Sequence, residues 1–108
     1  MEDLTLEIRR AKRGNATRLD LSGRGISLLP FDLYSLPRVE ELNLSNNNIS
    51  MIESAISGMT SLRLLNLAGN QITALPSEIM ELDLTELNLE RNPIGLGNLL
   101  SFNIKREL

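Results

Sequence analysis

Leu42-x-Leu44-x-x-Asn47-x-Ile49 is the stretch that decides the fold, because it recurs along the chain. Leu65-x-Leu67-x-x-Asn70-x-Ile72 and Leu87-x-Leu89-x-x-Asn92-x-Ile94 repeat it, with the asparagines 23 and then 22 residues apart. Counting back 23 from Asn47 reaches Arg24, inside Leu19-x-Leu21-x-x-Arg24-x-Ile26, so there are four units, beginning near Ala16, Val39, Leu62 and Leu84. Their second halves agree too: Leu29-Pro30-x-x-Leu33-x-x-Leu36 matches Leu75-Pro76-x-x-Ile79-x-x-Leu82, and Ile52-x-x-x-Ile56-x-x-Met59 is a degraded version. A period of this length is the signature of stacked coils, since one unit cannot bury its apolar face without neighbours.

Each unit carries its own physical logic. Leu-x-Leu has the period of a short strand, so both leucines point one way and the intervening residue points the other. The chain must then turn sharply out of the strand, which leaves buried backbone groups in need of partners. A short side chain with both a donor and an acceptor can bridge neighbouring coils there.

These residues resemble the leucine-rich repeat family, in its 22–23-residue intracellular type with the Leu-Pro-x-x-Ile-x-x-Leu second half, over about residues 16–95. The resemblance implies an α/β fold: a short right-handed solenoid of about four coils, with a parallel sheet on the concave face and an N-terminal capping helix. It divides the chain into a capping helix (1–15), repeats (16–38, 39–61, 62–83 and 84–95 onward) and a C-terminal cap (96–108). It also implies that Asn47, Asn70 and Asn92 form a structural ladder. Arg24 departs from that pattern, and Gly23 and Gly25 are placed to ease the first turn instead.

A solenoid exposes apolar ends and needs caps. Residues 3–13 read as an amphipathic helix: Leu4, Ile8 and Ala11 fall at helical spacing, Asp3 can cap the start, and Gly14 or Asn15 stops it. Glu2, Asp3 and Glu7 precede Arg9, Arg10, Lys12 and Arg13, which suits the helix dipole. At the other end Gly95 and Gly97 interrupt the repeat. Leu100, Ile104 and Leu108 then fit a helix stripe, whereas Leu100, Phe102 and Ile104 fit strand alternation. Both readings stay open.

Composition narrows the function. The 108 residues include 23 Leu and 11 Asn but no Cys and no His, which excludes disulfides, zinc fingers, Cys nucleophiles, Ser-His-Asp relays and His-ligated metals. Only Phe31, Tyr34 and Phe102 are aromatic, so stacking platforms and aromatic cofactor pockets are poorly supplied, and no cofactor or metal is expected. A net charge of −3 argues against nucleic acid or an anionic membrane as partner. No window approaches the length of a bilayer span, and the N-terminus lacks the pattern of a secretion signal, which favours a cytoplasmic location. The sequons at Asn15, Asn43 and Asn48 then read as chance matches.

If the leucines point inward, the outward strand positions form a surface. One row is Arg18, Glu41, Leu64, Glu86; the next is Asp20, Asn43, Asn66, Asn88; beyond it lie Ser22, Ser45, Ala68 and Glu90. Arg18 and Glu41 are expected side by side, as are Glu40 and Arg63. Leu64 reads as an apolar anchor between two carboxylates. The asparagines of the second row read either as binding groups or as short polar residues tolerated on a curved sheet. Glu41 and Glu86, about 10 Å apart across two strand spacings, are too distant and too open for acid–base work. The expectation is therefore a non-enzymatic module that binds another protein through the first two rows. The alternative is self-association into a homo-oligomer through an open edge or the C-terminal apolar tail.

Overall fold

In the computed structural model the described residues are 4–95, with the backbone of 106 and 107. The capping helix α1 spans Leu4–Arg13 and buries Ile8 against the coils, with Leu4 and Ala11 packed beside it. It ends as Asn15 swings to φ 52°, with the Asn15 N–H donating to Lys12 O and the Ala16 N–H to Ala11 O. That pair of bonds is a Schellman closure, which a left-handed Asn permits. The expected cap Asp3 lies outside the described residues.

Four short strands follow: β1 (Arg18–Asp20), β2 (Glu41–Asn43), β3 (Leu64–Asn66) and β4 (Glu86–Asn88). They pair in chain order, all parallel, and β5 (Arg106–Glu107) extends the sheet beyond β4. The register sets Leu19, Leu42, Leu65 and Leu87 side by side. Leu42, Leu65 and Leu87 are fully buried, as are Leu21, Leu44 and Leu67 from the second Leu position. Arg106 takes the same register position as Leu87, so the leucine column stops at the fourth strand. The residues that carry the two C-terminal alternatives, Leu100, Phe102, Ile104 and Leu108, lie outside the described residues, as do all of 96–105.

The return half of each coil is a 3₁₀ turn: Phe31–Ser35, Ser54–Gly58 and Ser77–Glu81. Pro30 and Pro76 precede two of them at φ −67° and −70°, the torsion that their rings impose. Leu33, Ile56 and Ile79 point inward from these turns and, with Leu36, Met59 and Leu82, close the other wall of the core. The coils pack closely here. A Cβ on Gly58 would stand 3.0 Å from Tyr34 O, and the Tyr34 hydroxyl accepts the Glu53 N–H of the next coil at 3.2 Å.

Candidate functional site

Two aligned rows emerge on the concave sheet face from the strand register. Arg18, Glu41, Leu64 and Glu86 are successive neighbours, and so are Asp20, Asn43, Asn66 and Asn88. Arg18 Nε lies 3.4 Å from Glu41 Oε1, and one row over Arg63 Nη2 lies 3.4 Å from Glu40 Oε1. Such exposed pairs shape the local field more than they add stability. Leu64 is half-buried, with Glu41 on one side and the exposed Glu86 on the other. The first three strands enclose a hollow of about 350 Å³ whose lining includes Arg18, Asp20, Glu41, Asn43, Leu64 and Asn66.

The second row also carries a structural duty that the strand alternation alone does not reveal. Asp20, Asn43, Asn66 and Asn88 each accept, through Oδ1, the backbone N–H two residues on, from Ser22, Ser45, Ala68 and Glu90, all at 3.0 Å. Ser22 and Ser45 add their hydroxyls at 2.7 Å to the same oxygens. The two bonds from Ser22 hold the Asp20 carboxyl below its ordinary range. These are Asx turns, and the signal for them was present: Asp or Asn occupies this column in every coil. The third row departs from expectation. Ser45 and Ala68 are buried, at 7% and 4% exposure, because the chain has already begun to turn inward there.

Behind the turn sits the other asparagine column. Asn47 Nδ2 donates to Leu21 O, Leu44 O and Ser45 O, while Oδ1 accepts the N–H of Arg24 and of Ile26. Asn70 donates to Leu44 O, Leu67 O and Ala68 O and accepts from Ile49. Asn92 donates to Leu67 O, Leu89 O and Glu90 O and accepts from Ile72. Each amide thus joins its own coil to the one before. At the first coil Arg24 reaches instead to the capping helix, its Nη1 and Nη2 lying 2.7 and 2.9 Å from the two Glu7 carboxylate oxygens. That hydrogen-bonded cation holds Glu7 below its ordinary value of 4.5. Among the described residues there is no cluster of three or more acidic side chains placed to hold a metal. No helix there is long and apolar enough to cross a membrane.

A stack of parallel strands, leucine columns and an asparagine ladder defines a class, and comparison with known proteins agrees. The leucine rich repeat family matches residues 15–72 and 37–94, which together cover most of the chain. The chain belongs to the leucine-rich repeat family. A leucine-rich repeat protein of Leptospira interrogans is 28% identical with a TM-score of 0.58, over 79% of this chain and 28% of that one. The leucine-rich repeat domain of APL1B is 21% identical with a TM-score of 0.67, over 85% of this chain and 29% of its own, a likeness of fold. The chain thus spans under a third of either structure. No curated protein matches it. Leucine-rich repeat domains generally mediate protein–protein interaction and are typically not enzymes.

Proposed function

We propose that this chain is a non-enzymatic, cytoplasmic interaction module that binds a partner protein through its concave sheet face. The contacting residues are Arg18, Asp20, Glu41, Asn43, Leu64, Asn66, Glu86 and Asn88. The observation that carries the reading is the half-buried Leu64 at the rim of the concave hollow, flanked in register by two glutamates. An apolar side chain ringed by polar groups is the anatomy of a binding hot spot. Among the eight residues one cation faces three carboxylates, and that cation is already paired with Glu41. The face therefore favours a partner segment that lays an apolar side chain on Leu64 and brings a basic group to Glu86.

Leu64→Arg tests this. Placed at the rim, the arginine leaves the buried leucine columns intact, so the melting curve should stay close to wild type. Affinity capture followed by mass spectrometry should then lose the proteins that the wild-type chain retains. Unchanged recovery by a folded Leu64→Arg variant refutes the concave anchor.

A further inference from the structure

Each coil has an outer corner where its 3₁₀ turn gives way to the next strand. The first coil brings Pro37 and Arg38 to this corner, the second Thr60 and Ser61, the third Asp83, with Glu81 just before it. Lys12 and Asn15, from the end of α1, adjoin Arg38 around a hollow of about 190 Å³ floored by Ala16 and Leu36. Thr60, Ser61 and Asp83 line a second hollow of about 370 Å³ with Glu40 and Arg63. Lys12, Arg38, Thr60, Glu81 and Asp83 are all exposed. Among the described residues neither Arg38 nor Asp83 has an ion-pair partner in its own chain.

Glu40 and Arg63 pair with each other, so along the stack the unpaired charge of this edge is positive at the first coil, absent at the second and negative at the third. The gradient follows the charge of the whole chain: residues 1–38 carry seven basic and five acidic side chains, residues 39–108 four basic and nine acidic. Such an edge is its own complement. A two-fold axis through Thr60 and Ser61 turns it end for end, and the short side chains at the axis let two copies approach. Arg38 of each copy then meets Asp83 of the other, with Lys12 and Glu81 beside them. A polyanion is a poorer fit, because the carboxylates sit about 10 Å away on the same edge, two coil spacings from Arg38.

We infer that this corner is a self-complementary face through which two copies of the chain pair antiparallel, leaving both concave faces open. An edge of three coils is a small interface, so the pair is weak and driven largely by charge.

Sedimentation velocity of the full chain tests it. The wild type should dimerise at an ionic strength of about 0.02 M and dissociate by about 0.5 M, as the screening length contracts. In its own pair Arg38→Asp sets two like charges together, and so does Asp83→Arg; each should raise the dimer dissociation constant about tenfold or more. Mixed in equal amounts, the two variants face each other with both contacts attractive, and the dimer should return. A wild-type chain that stays monomeric at low salt overturns the proposal whatever the variants do. It falls equally if neither single reversal weakens the dimer, or if folded variants fail to recover it on mixing. Leu64→Arg lies on another face and should leave the dimer unchanged, so failure here is separable from failure of the concave reading.

Discussion

Asn70 is the most deeply buried rung of the asparagine ladder. Its amide satisfies three carbonyls and one N–H, and it is 2% exposed, so no water can replace it. Asn92 makes the same set of bonds but is only half-buried. Asn70→Ala should therefore cost about 3 kcal/mol, one to three for each stranded group with partial relaxation, and Asn92→Ala clearly less. Urea denaturation of the two variants measures the gap, and equal losses would show that burial is not what makes the ladder count. The residue before each ladder position poses a different problem. Gly23, Asn46, Gly69 and Arg91 all stand at positive φ, between 58° and 71°. Glycine and asparagine tolerate that region and arginine does not. At Gly69 the requirement is doubled, since a Cβ would collide with Asn46 Oδ1. Arg91 has only long contacts in return, 3.5 Å to Asn46 Oδ1 and 3.7 Å to Glu90. Arg91→Gly should raise stability by about 0.5–1 kcal/mol in the same assay; a loss would mean those contacts outweigh the strain.

At the level of elements, the capping helix is held by packing and by one lock. Ile8 fills the end of the core, and the two-pronged Arg24–Glu7 pair, with both side chains about one-third exposed, fixes the helix against the first turn. The sign of its pH dependence follows from Glu7. Its folded pKa is lowered, first by the Arg24 hydrogen bond and then by the charges of Arg24 and Arg10. The pair therefore contributes stability that is fully present above the ordinary value of 4.5 and is lost as the pH falls through the lower folded value. Glu7→Gln should melt below wild type at neutral pH and converge with it in acid; a gap that persists once Glu7 is protonated in the folded chain would place the effect in packing, not charge. The sequence made the helix legible through Leu4, Ile8 and Ala11, and the strands through the Leu-x-Leu pairs. It also flagged Arg24 as the break in the asparagine column. It could not show where that arginine went, because Glu7 lies 17 residues away and nothing local couples the two. The Asx role of Asn43, Asn66 and Asn88 was hidden for another reason. Strand alternation treats the outward side as free surface, and a side chain bonding to its own backbone breaks that assumption. Ser45 and Ala68 were misplaced by the same rule, applied past the point where the strand ends.

Across the whole molecule the repeat makes stability a matter of neighbours. The ladder amides, the Tyr34–Glu53 bond and the sheet bonds all cross coil boundaries. With so few coils, loss of a central one leaves both remnants with bare apolar ends, so no part is expected to stand alone. Leu65 lies at that centre, fully buried in β3 and paired to β2 and β4. Leu65→Ala removes its side chain from a packed interior and should cost about 2–5 kcal/mol. The reporter is built in: the chain has one tyrosine and no tryptophan, and Tyr34 sits two coils away, reading the first turn rather than the third. In urea, Tyr34 fluorescence and far-UV ellipticity should fall together for the wild type, and for Leu65→Ala they should shift together to a lower midpoint. If Tyr34 instead keeps its native signal after most ellipticity is gone, the first coil and its helix form an independent unit. The ladder would then be a string of local ties and not the element that makes the solenoid cooperative.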